Sequence, residues 1–306
     1  NCINPMATAI RLGDRVSTVS ATYADEICHA SDPSTGFIGG EGLEHLLAEA
    51  RDQGRLVGIL NGCEYDIPKL RRPGWVRLLG MFEAQLHDWQ KQDPGDVAHR
   101  LALQRIEKLP KRRPLHVLTS VGRLVAQKAT LLLHDAKNGE SPLDRIAEAL
   151  GRKAAIIILG SGEKSYEDRL LDVAQRHANV LFLKGYSEML ADPVYAAGDL
   201  FLMPSSFEPC GISQMLAMRN GQPCVVHGVG GLRDTVAHGE TGFVFDGTTV
   251  REQADNFVTT TLAALEHRAA DPAAWKVISD RARAQRFSWA LAAERTAQEL
   301  YGLPNE

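Results

Sequence analysis

Short apolar runs separated by amphipathic stretches dominate the pattern of this 306-residue chain. Eight runs are rich in β-branched or other apolar residues and predict strands, at 15–20, 56–61, 115–121, 154–160, 180–185, 200–205, 224–228 and 242–245. Most of them are nearly continuous rather than alternating. That pattern is typical of strands buried on both faces of a parallel sheet.

Helical patterns lie between these runs, for example SPLDRIAEALGR, YEDRLLDVAQRHA and GISQMLAMRNG. From about Leu115 onward strand and helix alternate, which predicts an α/β fold with a Rossmann-like, doubly wound parallel sheet. The chain closes on a predicted helix with Ser288 as its N-cap and Gly302 beyond its last turn.

Two parts of the chain depart from this alternation. Residues 62–113 carry few strand signals and several turn formers, and the basic run Lys108–Pro114 is most simply a solvated connection. The first strand, 15–20, is separated by about a hundred residues from the domain that starts near Leu115, and it lacks enough neighbours to build a sheet. We expect it to be the end of another domain whose beginning is missing.

Composition excludes several classes of function. The net charge is −4, with 44% hydrophobic and 24% charged residues, so neither nucleic acid nor an anionic membrane is expected as a partner. No apolar run approaches the ~20 residues of a spanning helix. Five cysteines, the first of them Cys2, form no C-x-x-C pair, which indicates neither a disulfide framework nor a zinc site and favours a cytoplasmic location.

Polar residues follow several predicted strands, at the edge where open parallel sheets bind ligands. After strand 115–121 come Gly122, Arg123 and Lys128. An arginine that binds two oxygens and a compact lysine charge suit a diphosphate. The alternative is that both are ordinary surface charges.

Two further strand ends are less specific. Glu163 separates Gly162 from Lys164, so the turn after strand 154–160 is not a Walker A loop, and a plain glycine-rich turn is the simpler interpretation. After strand 180–185, Tyr186 can stack on a base at the cleft mouth or lie half-buried under the next helix.

The stretch SSFEPCGISQMLAM places Glu208 after strand 200–205 and starts a helix near Gly211. Unpaired N–H groups at a helix start suit a phosphate, whereas Glu208 would repel one and suits hydroxyl groups instead. Glu208 or Ser213 can alternatively cap the helix. Beyond the next strand, Gly230 and Gly231 allow backbone to approach a ligand closely, and Arg233 with Asp234 can be an exposed pair.

Several motifs in order resemble the carboxyl-terminal half of bacterial glycogen synthases and plant starch synthases. They are RLGDRVSTVSATYADEI, GEGLEHLL, LVGILNG, VGRLVAQK, FEPCGISQMLAMRNGQPCVV, GGLRDTV, TGFVF and FSW. The resemblance implies a retaining glycosyltransferase of the GT-B fold, which transfers glucose from ADP-glucose or UDP-glucose to an α-1,4-glucan. It implies no cofactor and no metal.

The resemblance also implies roles for individual residues. Arg123 and Lys128 would hold the diphosphate, and Glu208 would contact the glucosyl group; these three are the expected catalytic residues. Tyr186 would stack on adenine and Asn61 would lie near the hinge and the donor. The remaining expected donor-binding residues are those of two glycine-containing turns: Cys210, Gly211, Ile212, Ser213, Gly230 and Gly231.

The motifs also imply a domain organisation. Residues 1–55 would be the end of an amino-terminal acceptor domain with its hinge, 56–287 the nucleotide-sugar-binding domain, and 288–306 a helix that packs back toward the amino-terminal domain. Because the rest of the acceptor domain is absent, we expect this chain to be inactive alone. Ala129 replaces the glycine usual after the motif lysine, and Glu64 replaces the usual aspartate.

Other functions remain open from the sequence. A sucrose-synthase-like or other hexosyltransferase shares this architecture, and a non-catalytic nucleotide-sugar-binding module would retain the same half. A dehydrogenase lacks support because no dinucleotide fingerprint follows the first strand. The oligomeric state is not indicated.

Overall fold

The computed structural model of the chain describes residues 4–66, 72–135 and 139–304. Cys2 and part of the weakly patterned stretch, residues 67–71, lie outside the described residues. Every predicted strand is present within its predicted range. No helix in the three described ranges has both the length and the apolarity needed to cross a bilayer.

The chain begins with a small unit of helices and a two-stranded sheet. Strand β1 (Val16–Thr18) pairs in parallel with β2 (Leu56–Gly58). These two strands form a sheet separate from the large one. The helices of this unit are α1 (Pro5–Leu12), α2 (Ala21–Glu26) and α3 (Glu44–Asp52).

The large sheet has six parallel strands in the order β5-β4-β3-β6-β7-β8. Their residues are strongly apolar and almost entirely buried, as expected for a sheet covered on both faces. The strands are β3 (His116–Val121), β4 (Ala154–Gly160), β5 (Val180–Lys184), β6 (Leu200–Met203), β7 (Cys224–His227) and β8 (Gly242–Phe245).

Helices cover both faces of this sheet. Because side chains alternate along a strand, Leu118 of β3 packs in one core layer and its neighbour Val117 in the other. The helices from residue 72 onward are α4 (Trp75–Gln92), α5 (Val97–Lys108), α6 (Ala126–Leu133), α7 (Pro142–Leu150), α8 (Lys164–Arg176), α9 (Glu188–Ala197), α10 (Ser213–Arg219), α11 (Gly230–Thr235), α12 (Val250–Ala270), α13 (Pro272–Ala284) and α14 (Trp289–Arg295). The predicted α/β class and doubly wound sheet are confirmed.

The stretch before β3 is more structured than the sequence indicated. Helices α4 and α5 bury Leu78, Phe82 and Ile106 against the layer that contains Val117. The basic run is not merely solvated either, because Arg113 donates to Asp199 at 2.7 Å. Turn residues at 93–96 and 109–114 separate the helices and masked their apolar periodicity.

The carboxyl-terminal helix folds back onto the small unit. Ser288 caps α14 by accepting from the Leu291 N–H at 3.2 Å, and a π-helical turn (Thr296–Leu300) extends it. Cys63 N–H donates to the Phe287 carbonyl at 2.7 Å. Arg295 of α14 donates to Gly58 O of β2 at 3.3 Å, so the segment lies beside β2. The three predicted domain limits, and the packing of 288–306 toward an amino-terminal domain, remain predictions.

Candidate functional site

The strand order places the candidate residues at one point of the sheet. The chain runs from β3 outward to β4 and β5, then returns to add β6 on the other side of β3. Ligands of open α/β sheets bind at such a reversal, outside the carboxyl ends of the strands. Arg123 and Lys128 follow β3, and Glu208 follows β6, its direct neighbour.

Glu208 is buried and its two carboxylate oxygens have different surroundings. Lys128 Nζ lies 2.6 Å from Oε2, and the Ser205 hydroxyl donates to the same Oε2 at 3.0 Å. In the described part of the chain, no group forms a hydrogen bond with Oε1. One oxygen is therefore fixed while the other remains able to accept from a hydroxyl group.

Arg123 stands on the loop that connects β3 to α6. Its side chain is exposed and forms no ion pair with any residue of the described ranges. The loop is held by backbone bonds to the next turn, with Leu124 N–H donating to Ser161 O at 2.9 Å. A Cβ on Gly162 would lie 2.2 Å from Leu124 O, so this glycine permits the close packing of two loops. Its N–H donates to the Glu167 carboxylate at 2.8 Å, which fits the interpretation as a plain turn.

Lys128 and Arg123 share a small pocket between the ends of β3 and β6. Ser205, Pro204 and Gly122 also line this pocket. Two cations and one carboxylate thus converge at the reversal point. The arrangement can hold an anionic group beside a hydroxyl-rich one.

The turn before α10 offers unpaired amides. Among the described residues, the N–H groups of Cys210, Gly211, Ile212 and Ser213 donate to no acceptor. Gly211 has a φ of 73°, which places it in the left-handed region. The Gln214 side chain holds the turn from behind by donating to the carbonyls of Cys210 and Gly211, both at 3.1 Å.

Cys210 belongs to the packing beneath this turn. Burial raises the pKa of its thiol to about 11, so the thiol stays protonated near neutral pH. The backbone N–H of Asn61 approaches the Cys210 sulfur. Asn61 is therefore adjacent to the turn at the edge of the small unit, where the hinge was expected.

Gly230 and Gly231 approach protein rather than open space. A Cβ on Gly230 would lie 2.1 Å from Glu208 O, and one on Gly231 would lie 2.2 Å from Cys210 O. Gly231 N–H donates to Glu208 O at 3.0 Å, and Gly230 N–H donates to the Glu26 carboxylate at 2.8 Å. Both amides are therefore engaged within the chain, and the glycines fit closely behind the Glu208 loop.

Arg233 and Asp234, for which the sequence left an exposed pair open, have different partners. Arg233 pairs with Asp246 at 2.6 Å, while Asp234 accepts from Thr22 of α2 through both the backbone N–H and the hydroxyl. The two neighbours point to different partners because they lie on a short helix, α11, whose successive side chains diverge.

Tyr186 lies apart from this cluster. It follows β5, three strand spacings from β6, or about 14 Å. Its ring is 77% exposed and its hydroxyl donates to Glu188 at 3.1 Å. An exposed ring at the sheet edge is able to stack on a planar group that extends from the reversal point.

Two residues near Glu208 were not predicted from the sequence to belong to the site. Ser205 was predicted only as the last residue of a strand, yet its hydroxyl donates to the Glu208 carboxylate. His227 ends β7, stacks on Phe245 with ring centroids 5.2 Å apart, and its Nδ1 lies 3.1 Å from Ser205 O. Burial lowers the pKa of His227, so the neutral ring donates from Nδ1 to that carbonyl. The position of His227 at a strand end was the available signal.

Comparison with known proteins places the chain among sugar-transferring enzymes. A family model described as "Glycosyl transferases group 1" matches residues 104–263, just over half of the chain. A second, described as "Starch synthase catalytic domain", matches residues 1–49.

Curated relatives are glycogen synthases. One from Streptococcus sanguinis is 36% identical over 98% of this chain and 58% of its own length. One from Thioalkalivibrio sulfidiphilus is 37% identical over 93% of this chain and 55% of its own length. The chain thus spans somewhat more than half the length of the curated relatives it matches.

Solved structures agree with the fold. The catalytic domain of starch synthase IV from Arabidopsis thaliana superposes with a TM-score of 0.67 at 26% identity, covering 98% of this chain and 58% of that one. A sucrose-phosphate synthase from Thermosynechococcus elongatus gives 0.57 at 18% identity, covering 97% of this chain and 61% of that one, and supports the fold alone. The chain belongs to the glycosyl transferases group 1 family and is related in sequence to glycogen synthases and starch synthases.

Proposed function

We propose that this chain forms the donor-binding half of a retaining glucosyltransferase of the glycogen or starch synthase type. The donor is ADP-glucose or UDP-glucose and the acceptor an α-1,4-glucan. The observation that carries the proposal is the contact between Lys128 and Glu208 at the reversal point of the sheet. It places a cation suited to a diphosphate directly beside a carboxylate whose second oxygen can accept from a hydroxyl group.

Each group has a role that its chemistry supports. Arg123 and Lys128 bind the diphosphate, while Oε1 of Glu208 accepts from a sugar hydroxyl. The free amides from Cys210 to Ser213 receive the distal phosphate. Tyr186 stacks on the base at the β5 edge, about 14 Å from β6, which suits an extended nucleotide.

Lys128 contributes most when the sugar leaves. As the bond between the anomeric carbon and the phosphate oxygen breaks, its electron pair goes to the diphosphate, whose negative charge rises. A fixed ammonium stabilises that developing charge without reorganisation. Donor binding also requires Lys128 to divide its hydrogen bonds between Glu208 and the diphosphate, which its three donors allow.

The relatives support the class of ligand. The Arabidopsis starch synthase structure is described as bound to ADP and acarbose, a nucleotide and a sugar-like compound. The aligned regions of the glycogen synthases are about one third identical to this chain, and they cover nearly all of this chain. These properties belong to the relatives, and we extend them to this chain as part of the proposal.

Isothermal titration calorimetry with ADP, ADP-glucose, UDP-glucose and GDP-glucose tests the proposal. We expect ADP-glucose or UDP-glucose to bind, with no change after EDTA is added because no metal is required. Lys128→Met should weaken ADP binding by about tenfold or more, as expected for a charge-assisted hydrogen bond. Lys164→Met, which removes an exposed lysine of α8, is the matched control and should bind like the wild type.

Absence of binding by all four ligands would refute the donor-site proposal and favour a chain that kept the fold without the ligand. Preference for GDP-glucose would favour another hexosyltransferase. That this chain alone does not elongate glucan stays a prediction, checked by incubating it with ADP-glucose and glycogen. The cytoplasmic location also stays a prediction.

A further inference from the structure

One short helix of the small unit touches the Glu208 loop and the turn behind it at four places. Ser20, the N-cap of α2, donates from its hydroxyl to Pro209 O at 2.6 Å. The Tyr23 ring meets the Phe207 ring edge-on, with centroids 5.6 Å apart. Thr22 and Glu26 supply the other two contacts, to Asp234 and Gly230. We call residues 20–26 the α2 brace.

The contact of Glu26 is unusual for a carboxylate. Burial raises the pKa of Glu26, an effect that the Gly230 N–H and the charge of Arg233 oppose and that the nearby Asp234 and Asp25 reinforce. Placing a charged group in such surroundings is unfavourable unless a donor compensates it. The compensating donor nearest to it is the Gly230 N–H, 2.8 Å from Oε1. The carboxylate is therefore committed to the glycine turn.

The turn that contains Gly230 and Gly231, here called the glycine turn, holds the Glu208 loop. Gly231 N–H donates both to Glu208 O at 3.0 Å and to Pro209 O at 3.2 Å. The Cβ positions of Gly230 and Gly231 would overlap the backbone of 208–210, so the turn and the loop cannot shift independently. A displacement of Gly230 is therefore transmitted to the backbone that carries Glu208.

We infer that Glu26 is a positioning residue for Glu208, acting through Gly230 and Gly231, and that the α2 brace fixes the sugar side of the donor site. The inference deepens the proposed function and rests on it for its ligand. Arg123 lies on the loop after β3 and Lys128 lies on α6, and among the described residues the brace contacts neither of them. Loss of Glu26 should therefore weaken recognition of the glucosyl group more than binding of the diphosphate, which keeps its contacts with Arg123 and Lys128.

The affinity for ADP-glucose divided by the affinity for ADP measures the contribution of the glucosyl group separately from that of the nucleotide. In Glu26→Ala this ratio should fall by about tenfold, the effect of losing one hydrogen bond to a charged group, while the affinity for ADP changes by less than about twofold. Glu26→Gln keeps an acceptor oxygen toward Gly230 and should restore the ratio. Asp25→Ala removes an exposed carboxylate of the same helix and is the matched control.

A purely structural role for Glu26 predicts a different result. Both affinities would then fall together with the melting temperature, and Glu26→Gln would not separate them. That result, or an unchanged ratio in Glu26→Ala, overturns the inference. If Glu26→Ala does not fold, Ser20→Ala removes the second link of the brace and should lower the same ratio, and no change in that variant also overturns it.

Amide hydrogen exchange at Gly231 tests the mechanical link without any ligand. Exchange should be about tenfold faster in Glu26→Ala, consistent with loss of one charge-assisted hydrogen bond, and near the wild-type rate in Glu26→Gln and Asp25→Ala. Unchanged exchange refutes the link. A chain that binds neither ADP nor ADP-glucose refutes the proposed function instead, and the exchange measurement still decides on the brace.

Discussion

The ion pair between Lys128 and Glu208 should be energetically asymmetric. Its atoms are 2.6 Å apart, but the Glu208 side chain is 8% exposed and the Lys128 side chain 21% exposed. Replacing Lys128 with Met keeps most of the side-chain volume and removes the charge. Glu208 then retains a single side-chain donor among the described residues, the Ser205 hydroxyl. The opposite change, Glu208→Gln, keeps an acceptor oxygen, and Lys128 is able to reach water.

The magnitudes follow from these surroundings. Removing one partner of a buried pair costs about 3 to 5 kcal/mol, and the partial exposure of Lys128 places Lys128→Met at the lower end, about 3 kcal/mol. Glu208→Gln loses one charge-assisted hydrogen bond at most, about 1 kcal/mol. The double variant leaves no unpaired charge and should lose about 1.5 kcal/mol, which is a coupling of about 2.5 kcal/mol.

Urea unfolding of the four proteins, followed by circular dichroism, measures this cycle directly. Lys164→Met, which breaks an exposed pair on α8, serves as the control and should lose less than about 0.5 kcal/mol. The reasoning is refuted if both single variants lose the same free energy and the double variant loses their sum. That outcome would mean that Glu208 is hydrated without Lys128.

Three further changes test other parts of the structure. Arg123→Ala should weaken ADP binding by about tenfold or more in calorimetry while the urea midpoint stays constant, because the side chain is exposed and unpaired among the described residues. Gly231→Ala places a Cβ 2.2 Å from Cys210 O and should cost about 2 kcal/mol or more in urea unfolding. Gly80→Ala, inside helix α4, meets no atom within 4 Å and should instead stabilise by up to about 1 kcal/mol. Burial opposes ionisation of Asp199, but neighbouring arginines hold its pKa below the usual value. The stabilising contribution of this carboxylate is therefore complete above about pH 4 and is lost as the pH falls through the folded-state pKa. In Asp199→Asn the free energy of unfolding should therefore fall less steeply with pH in that range.

Much of the fold follows from local patterns. Each of the eight predicted strands contains an observed strand, because continuous β-branched runs such as Ile156–Ile158 suit only positions buried on both faces. Helices α4 and α5 were missed since Gly80, Pro94 and Gly95 interrupt their pattern and suggested turns. The small sheet escaped because β2 has only one pairing partner, β1, forty residues earlier along the chain.

The candidate site was predictable in its members and not in its connections. Arg123, Lys128 and Glu208 each stand after a strand, and parallel strands bring such positions to one edge. No local pattern, however, reports that Lys128 contacts Glu208 eighty residues later, or that Arg123 and Lys128 share a pocket with Ser205. These contacts depend on β3 and β6 being neighbours, which is a property of strand order rather than of either strand.

The glycines show most clearly why strand order matters. From the sequence, Gly230 and Gly231 were expected to let the backbone approach a bound ligand closely. In the structure, the space in front of each glycine contains backbone of the Glu208 loop, and the acceptor for Gly230 N–H comes from α2, over two hundred residues away. A glycine thus indicates that another group packs closely against the backbone, but only the order of the strands in the sheet determines which group that is. For this chain the approaching group is the backbone of the Glu208 loop, so the glycines hold the residue that we propose to contact the sugar.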